Sequence, residues 1–349
     1  MTTLTIEEIA ALASVSRSTV SRVLNNHPSV RPTVRDRVLR IIEEHGYAPR
    51  AAARSLASQR TNVIGLLIPR SAATIFTDPF FPQVIQGISE ACSSRGYFLM
   101  LSMLTADMEQ SFYHRFLRSR HFDGLIMLSS DIDDPILPLL IKDRTPLVLV
   151  GRHPYFQHLS WVDVENREGA RTAVAHLIGL GHRRIATITG PLQMAAGINR
   201  RDGYKQALLE AGIPIMPELM IEGDFTQEGG YQATAKLLAL TERPTAIFVA
   251  SDTMAIGALR AVIEANLTVP RDIAIVSFDD LPIASFANPP LTTVRQPVYE
   301  MGATAARLLI EHLEHQIQEP QQICLPTSLI IRRSCGSNSA PAAGEKGGR

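Results

Sequence analysis

Apolar strands alternate with amphipathic helices through most of the chain after residue 62, and this pattern constrains the fold more than any other feature. The continuous apolar run at residues 63–69 is the first strand, and comparable runs recur between helical segments as far as residue 278. Such alternation is typical of a parallel sheet that is covered by helices on both faces. Because the same plan occurs twice, the sequence predicts two parallel sheets in an α/β core.

The predicted elements fall into two halves of similar plan. The first half comprises strands at 63–69, 97–103, 124–128 and 146–151, with helices at 82–94, 109–118 and 135–142. The second half comprises strands at 185–189, 220–222, 246–250 and 273–278, with helices at 167–180, 200–211, 228–240 and 253–265. A strand at 292–294 and a helix at 298–315 are then expected to return to the first half.

The first 47 residues have a different pattern, that of three short helices. Thr5 and Glu8 have the spacing of a capping box, which predicts that a helix begins at Ile6. Ser16 can cap a second helix over residues 17–24, and Pro32 suits the start of a third. The apolar residues predicted to form the core of this small unit are Ile9, Leu12, Val15, Val20, Val23, Val38 and Ile42.

The second helix presents a polar edge opposite its apolar residues. Arg17, Ser18, Ser21 and Arg22 form this edge, and no acidic residue lies among them. A helix with such an edge, braced by a partner helix, can lie in the major groove of DNA; a merely solvated surface helix is the alternative. Residues 1–60 hold nine arginines and five acidic residues in a chain of zero formal net charge. This local excess of positive charge favours a nucleic-acid partner.

Residues 50–60, RAAARSLASQR, connect this unit to the α/β core. Their alanine-rich composition favours a helix. The segment is nevertheless shorter than the roughly 12–15 residues at which an isolated helix becomes marginally stable in water. We therefore expect it to fold only when a partner supplies contacts, with a plain linker as the alternative.

Cysteine usage and the N-terminal residues predict a soluble, cytoplasmic protein. The three cysteines are widely spaced and odd in number, which argues against a disulfide framework. The first ten residues carry acids where a signal peptide would carry basic residues, and no apolar run is long enough to span a membrane. Ser334–Arg349 is small, polar and glycine-rich, so disorder is expected there.

Six motifs occur in order along the chain: TIEEIAALASVSRSTVSRVLN, GYAPRAAARSLASQRTNVIGLLIP, DGLIML, LGHRRIATITGP, FVASDTMAIGALRAV and VSFDDLPIASFANPPLTTVRQP. Together they resemble the LacI/GalR (lac repressor) family of bacterial transcription regulators over nearly the whole sequence. The resemblance implies a helix-turn-helix headpiece joined to a two-lobed, periplasmic-binding-protein-like (type I) core. It also implies a homodimeric repressor that binds a pseudo-palindromic operator in double-stranded DNA, with an affinity that a small-molecule effector alters.

The resemblance also implies domain boundaries. The headpiece spans residues 1–48 and the hinge 49–60. The N-subdomain combines 61–163 with 292–325, the C-subdomain combines 164–291 with 326–333, and 334–349 is the disordered tail.

By resemblance, two groups of residues contact the operator. Arg17, Ser18 and Arg22 match positions that reach base edges, where arginine donates to guanine O6 and N7. Phosphate or positioning contacts are assigned to Thr19, Ser21 and Asn25, and Thr5 and Ser16 are also predicted to bind DNA. In the hinge, Leu56 matches a residue that wedges into the central base step of the minor groove. Neighbouring hinge contacts are assigned to Arg50, Ala53 and Ser55.

A ligand of two open α/β sheets is expected in the cleft beyond the carboxyl ends of their strands. The side chains there combine aspartate and arginine, which can pair with adjacent hydroxyls, with flat phenyl faces. This mixture suits a neutral, hydroxyl-rich ring such as a sugar; a purine is the alternative, and core packing is the alternative for any single aromatic. The predicted effector contacts are Asp78, Phe80, Phe81, Asp131, Arg152, Arg200, Phe225, Ser251, Asp252 and Asp279.

The sequence predicts no catalytic residue, metal site or cofactor. No segment has the arrangement of an activated nucleophile, and His312 and His315 have no third metal ligand nearby. Two other classes of protein share parts of this pattern. A transport receptor of the same fold would need an export signal and no headpiece. A sugar-processing enzyme would need paired carboxylates across the cleft, which the sequence does not suggest.

Overall fold

A computed structural model describes residues 4–24, 27–47, 60–103, 121–128, 131–315 and 319–337. The chain divides into two compact units, residues 1–61 and 62–349. Most of the predicted hinge, the helix predicted at 109–118 and the last twelve residues of the predicted tail lie outside the described residues.

The described part of the first unit contains three helices, α1–α3, at Ile6–Leu12, Arg17–Leu24 and Pro32–Glu44. The predicted capping box is present, because the Thr5 hydroxyl accepts the Glu8 N–H while the Glu8 carboxylate accepts the Thr5 N–H. Ser16 accepts the Thr19 N–H at the start of the second helix. The third helix begins at Pro32 without a side-chain cap. Local sequence signals therefore place all three helix starts.

The core of the headpiece excludes one predicted residue and includes Ala10 and Ala13, which were not predicted. Ile9, Val20, Val23 and Val38 are buried, and Val15 and Ile42 pack against them. Leu12, by contrast, is 51% exposed, so its assignment to the core is wrong. Ile9, Ala10 and Ala13 face inward, and Leu12 lies about 100° around the helix from the centre of that face.

The second unit is built on two six-stranded sheets. The first contains β1–β5 and β11, at Val63–Ile68, Phe98–Met103, Gly124–Leu128, Leu147–Val150, Ser160–Val164 and Gln322–Leu325. The second contains β6–β10 and β12, at Ile185–Thr189, Met220–Glu222, Ala246–Val249, Ala274–Asp279, Thr292–Arg295 and Ser328–Ile330. The strand orders are β11-β5-β4-β3-β1-β2 and β12-β10-β9-β8-β6-β7. Pairing is parallel throughout these described strands except between β10 and β12.

Helices cover both sheets, which explains why the central strands are uninterrupted apolar runs. In chain order these helices, α4–α12, are Ala72–Thr77, Phe80–Ser94, Leu137–Lys142, Asn166–Gly179, Ala195–Glu210, Gln227–Leu238, Asp252–Glu264, Pro282–Phe286 and Val298–His315. Gly87 lets α5 approach α12 closely, since a Cβ there would lie 2.1 Å from the Tyr299 carbonyl oxygen. No helix within the described ranges combines the length and apolarity that crossing a bilayer requires.

Strand β10 belongs to the second sheet, so the prediction that it returns to the first half is wrong. It pairs in parallel with β9. Its polar groups are satisfied there: the Thr293 hydroxyl donates to Asp252 at 2.7 Å, and the Thr292 N–H donates to the Ser334 hydroxyl at 2.8 Å. Helix Val298–His315 does return, because its apolar residues share a core with Ile126 and Val148 of the first sheet.

The predicted disordered tail begins too early. Ser334 and Cys335 are buried, and the Ser334 hydroxyl donates to the Ile275 carbonyl at 2.6 Å. These small polar residues satisfy backbone groups beside the second sheet, a role that composition alone does not reveal. The sequence also missed strands β5, β11 and β12, which are three to five residues long.

Candidate functional site

The polar edge of α2 is the first candidate surface. Arg17, Ser18 and Arg22 are exposed, whereas Val20 and Val23 are buried against the other helices. The structure therefore brings the predicted base-contacting residues to one side of the helix. Thr19 and Ser21 are half-buried beside them.

Local contacts hold the start of this helix. The Ser16 hydroxyl lies 2.8 Å from the Ser18 hydroxyl and 2.9 Å from the Thr19 hydroxyl. Arg17 is instead held by α1, since its Nε lies 3.3 Å from the Glu7 carboxylate. The Glu7 carboxylate of α1 thus lies next to the polar edge of α2, although α2 itself contains no acidic residue. The predicted contacts Asn25, Arg50, Ala53, Ser55 and Leu56 lie outside the described residues.

A cavity of about 230 Å³ in the second unit is the second candidate site. It lies between the carboxyl ends of the strands of the two sheets, where an α/β fold binds its ligands. Most of the predicted effector residues line it, namely Asp78, Phe80, Phe81, Arg152, Arg200, Phe225, Ser251 and Asp279. Asp131 lies next to it, paired with the lining residue Arg70.

Each arginine on the described wall of the cavity is paired with an aspartate. Arg70 Nη2 lies 2.5 Å from Asp131, and Arg152 Nε lies 2.5 Å from Asp163. A third pair joins the two innermost charges, Arg200 and Asp279, at 3.1 Å. The cavity therefore offers hydrogen-bond donors and acceptors side by side, with the positive charge of each guanidinium already balanced.

Arg200 is nine-tenths buried and is held from several directions. Its Nε donates to the Asn166 amide oxygen at 2.8 Å, and its Nη1 donates to the Ala250 carbonyl at 2.6 Å. The guanidinium also lies 3.7 Å from the centre of the Phe278 ring. The Asn166 amide nitrogen donates to Asp163 at 2.9 Å. One hydrogen-bonded chain thus crosses the connection between the lobes and contains Arg152, Asp163, Asn166, Arg200, Asp279 and Gln296.

Burial and pairing act in opposite directions on the charges of this chain. Burial raises the pKa of Asp279, and the nearby Arg200 guanidinium opposes that increase. Burial likewise lowers the pKa of Arg200, and Asp279 opposes that decrease. Because the two groups are 3.1 Å apart and further hydrogen-bonded, we infer that both stay charged at neutral pH.

Asp78 connects the lobes on the other side of the cavity. Its carboxylate accepts the Phe80 N–H in its own lobe and lies 3.2 Å from the Thr253 hydroxyl of the second lobe. Burial raises the pKa of Asp78, and these hydrogen bonds oppose the increase.

Aromatic side chains and strained backbone complete the wall. The Phe80 and Phe81 rings meet edge to face with their centres 5.6 Å apart. Phe225 and Asp279 have positive φ angles of 63° and 116°. Such conformations cost about 1–3 kcal/mol each and cluster at functional sites. Gly190 makes room for the Phe225 ring, since a Cβ there would lie 2.2 Å from it.

Asp252 lies behind the cavity wall rather than on it. Its carboxylate accepts hydrogen bonds from the Ser277 and Thr293 hydroxyls and from the Leu281 N–H, at 2.5, 2.7 and 2.7 Å. Burial raises its pKa to about 6. These contacts make Asp252 a support for the end of β9, and they leave the adjacent Ser251 as the lining residue.

Comparison with known proteins shows where this arrangement belongs. The model of the bacterial regulatory proteins of the lacI family matches residues 5–50, and that of the periplasmic binding protein-like domain matches residues 174–335. The HTH-type transcriptional regulator CelR of Thermobifida fusca is 40% identical over 332 residues, which cover 95% of this chain and 98% of CelR. This chain belongs to the LacI family.

Solved structures of LacI-family proteins confirm the fold. The CelR–cellobiose complex has a TM-score of 0.76 at 38% identity, and the match covers 95% of this chain and 99% of that one. The lac repressor dimer bound to operator and the anti-inducer ONPF has a TM-score of 0.84 at 30% identity, with 96% and 99% covered. The chain is thus a DNA-binding transcriptional regulator with a helix-turn-helix headpiece and a two-lobed core. Its relatives are regulators, not enzymes.

Sequence reasoning missed several residues that line the cavity of this LacI-family chain. Asp163 and Asn166 line it, as does Gln296. Asp163 lies in strand Ser160–Val164, which was not predicted, and Asn166 follows that strand. The valines and tryptophan of SWVDV, directly before a helix, are the signal that could have revealed the strand. Gln296 directly follows β10. A prediction that put β10 in the second sheet would therefore also have placed Gln296 at the cavity.

Proposed function

We propose that this chain is a homodimeric repressor whose operator affinity is controlled by a neutral sugar bound between the two lobes. The observation that carries the choice of effector is the pairing of Arg70, Arg152 and Arg200 with aspartates. A phosphate or carboxylate ligand would require an arginine without such a partner, or the loss of an existing ion pair. The uncharged hydroxyls of a sugar can bind without an unpaired arginine and without the loss of an ion pair.

The remaining hydrogen-bonding capacity of the pairs fits a polyol. A guanidinium has five N–H donors, and a carboxylate has about four acceptor sites. Each pair therefore keeps donors and acceptors that adjacent hydroxyls of one ring can use together. The faces of Phe80, Phe81 and Phe225 suit the C–H faces of such a ring. CelR, 38% identical, was solved with cellobiose, which makes cellobiose the first sugar to test.

We assign residue roles at the cavity on this basis. Direct effector contacts are assigned to Asp78, Phe80, Phe81, Asp131, Arg152, Arg200, Phe225, Ser251 and Asp279, as the sequence predicted. Asp252 supports the wall through Ser277 and Thr293. Asp163 and Asn166 position the two arginines that they bridge.

At the operator, Arg17, Ser18 and Arg22 contact base edges from the major groove. Thr5, Ser16, Thr19, Ser21 and Asn25 contact or position the phosphate backbone. The hinge places Leu56 in the minor groove, with Arg50, Ala53 and Ser55 beside it. The exposure of Arg17, Ser18 and Arg22 on one face of α2 supports the first of these assignments.

Exposed apolar side chains support the homodimer. Phe76 and Phe98 are 70% and 75% exposed, and Phe98 begins the edge strand β2. A separate apolar groove that includes Phe76 is lined by Ile75, Phe76, Pro82, Ile85, Gln86, Ser89, Glu90 and Leu101. Large exposed apolar patches mark interaction surfaces. Because the similar lac repressor was solved as a dimer on its operator, we take the occupant to be a second copy of this chain.

We further propose that the protein acts in the cytoplasm, where bacterial operator DNA lies, and that it catalyses no reaction. We keep the headpiece at residues 1–48 and the hinge at 49–60. The lobes keep their predicted boundaries with one amendment, since strand Thr292–Arg295 joins the second lobe.

Fluorescence anisotropy with DNA from upstream of the protein's own gene tests the proposal. We expect one pseudo-palindromic fragment to bind with a Kd in the range of about 10⁻⁸–10⁻¹¹ M at physiological salt. Cellobiose or another neutral sugar should change that Kd at least about fivefold, whereas glucose 6-phosphate and adenine should not. Arg200→Met should bind the fragment but lose the sugar response.

Two results would contradict the proposal. Equal affinity for every fragment at all salt concentrations would exclude sequence-specific repression by this headpiece. Specific binding that only a phosphorylated sugar or a nucleobase alters would keep the repressor but overturn the neutral effector.

A further inference from the structure

The ion pair between Glu7 and Arg17 lies on the surface that the proposed function places against DNA. Arg17 Nε is 3.3 Å from the Glu7 carboxylate, and the two side chains are 71% and 59% exposed. Glu7 is in the first turn of α1, whereas Arg17 begins α2. The pair therefore joins the bracing helix to the helix that carries the base contacts.

Stability does not explain this pair. An ion pair between two exposed side chains contributes little to folding, because water and salt screen it. The two helices are held by buried contacts of Ile9, Val20 and Val23 and by the caps at Thr5 and Ser16. Glu7 is moreover an unfavourable charge on a surface that approaches phosphates. The effect of Glu7 must therefore be on how Arg17 binds DNA.

The neighbouring polar side chains do not position Arg17. The hydroxyls of Ser16, Ser18 and Thr19 hydrogen-bond to one another at 2.8 and 2.9 Å. Glu7 thus supplies the contact that restrains the guanidinium. Because the closest approach of Glu7 is to Nε, the two terminal nitrogens of Arg17 can still donate side by side to guanine O6 and N7.

We propose that Glu7 is a specificity-determining positioning residue, which orients Arg17 for one guanine and keeps it off the phosphates. The inference rests on the proposed function, in which Arg17 contacts a base. This role of Glu7 predicts two opposite effects of removing its carboxylate. Removing the carboxylate should strengthen binding to DNA of any sequence, through lower repulsion, while weakening discrimination at the base pair that Arg17 contacts.

The experiment uses the full-length protein and an operator selected by the wild type from a randomised duplex pool. Dissociation constants are measured by anisotropy for this operator and for variants with each base pair replaced. The base pair contacted by Arg17 is the one whose discrimination Arg17→Ala abolishes. Glu7→Gln is compared with Glu44→Gln, which removes the same charge from the exposed end of α3.

We expect Glu7→Gln to lose at least about fivefold discrimination at that base pair, because the bidentate contact of Arg17 is no longer oriented. It should also bind random duplex more tightly than the wild type. Glu44→Gln should keep the wild-type discrimination. Glu7→Asp keeps the charge but shortens the side chain, so it should lose discrimination without the gain in nonspecific affinity. The double variant Glu7→Gln/Arg17→Ala should discriminate no worse than Arg17→Ala.

Unchanged discrimination by Glu7→Gln, on an operator that the wild type selects, overturns the inference and leaves the proposed function intact. An equal loss of affinity for all sequences also overturns it, because that result marks Glu7 as structural; circular dichroism of each variant detects misfolding. A wild type that selects no sequence overturns the proposed function itself.

Discussion

The Asn166 amide oxygen accepts the Nε–H of Arg200 at 2.8 Å, and both residues line the cavity. Asn166 begins the helix that follows the crossing between lobes, and Arg200 lies on the next helix of the second lobe. Through Asp163, the same amide also connects to Arg152 of the first lobe. The arginines are therefore positioned before an effector arrives, which lowers the ordering cost of binding it.

Replacing Asn166 by leucine should destabilise the core unit. The substitution removes the buried Asn166 acceptor of Arg200 Nε and one of the two N–H donors to an Asp163 oxygen. A buried group left unpaired costs about 1–3 kcal/mol, and a charged one costs more. Urea unfolding followed by the fluorescence of Trp161, the single tryptophan, measures the change. Gln232→Leu, at an exposed amide in the same lobe, is the control. Equal stability of the two variants would mean that the bridge is absent in solution.

Breaking the buried pair of Arg200 and Asp279 should be costly, and removing both charges should be less so. Arg200→Met leaves a buried carboxylate alone, an effect of about 3–5 kcal/mol. The double variant Arg200→Met/Asp279→Asn should recover part of that loss in the same unfolding assay. Arg260→Met removes an exposed pair with Glu264 and should cost less than about 1 kcal/mol. If the two single variants cost the same, Arg200 is not buried as described.

Asp252 should make stability fall as the pH rises. Burial raises its pKa to about 6, above the value of about 4 in an unfolded chain. The folded protein then binds this proton more tightly, so the stabilising contribution present below about pH 4 is lost as the pH rises through about 6. The unfolding free energy of the wild type, minus that of Asp252→Asn, should therefore decrease over this range.

Asp272 gives the opposite sign and serves as the control. Hydrogen bonds from Thr268 lower the pKa of this exposed carboxyl group. The corresponding difference for Asp272→Asn should increase with pH or stay flat. A wild-type minus Asp252→Asn difference that rises with pH would show that its three hydrogen bonds outweigh burial.

Phe98→Asp should convert the dimer to a monomer. Phe98 is largely exposed on the edge strand β2, and a charge there would have to be desolvated in the proposed interface. Light scattering after gel filtration should show the monomer mass, and operator affinity should fall because two half-sites are no longer bound together. Leu209→Asp places the same charge at another exposed apolar residue and should remain dimeric. A dimeric Phe98→Asp would place the interface elsewhere.

Arg22→Ala should relax specificity at one base position. Arg22 is exposed in the last turn of α2, and a bidentate contact to guanine supplies about 1–3 kcal/mol of discrimination. Dissociation constants for operators changed at single positions reveal which base pair loses its preference. Uniform weakening across all operators, with a smaller salt dependence, would instead place Arg22 on a phosphate.

Local signals predicted much of this fold. Capping at Thr5 and Ser16 placed two headpiece helices, and uninterrupted apolar runs placed the central strands of both sheets. The elements that were missed are those whose stability depends on tertiary contacts within the fold. Strand Ser160–Val164 is short. Strand Thr292–Arg295 is held in the second sheet by hydrogen bonds to Asp252 and Ser334, which are far away in sequence.

The site was predictable to the extent that it follows strand ends. Arg152, Ser251 and Asp279 lie at such ends, and all three line the cavity. The partners of these residues were not predictable, because pairing between lobes depends on tertiary geometry. Asp163 was hidden in an unpredicted strand, and the contact of Glu7 with Arg17 requires the angle between two helices.

The late position of strands β11 and β12 has a consequence for synthesis of the protein. Each is the last strand added to its sheet, beside β5 and β10 respectively. Until residues 322–330 leave the ribosome, both lobes are therefore incomplete at one edge, however much of the chain has already emerged. Such edges can pair with other nascent chains, so a premature stop before residue 322 would leave both lobes unfinished and prone to aggregate.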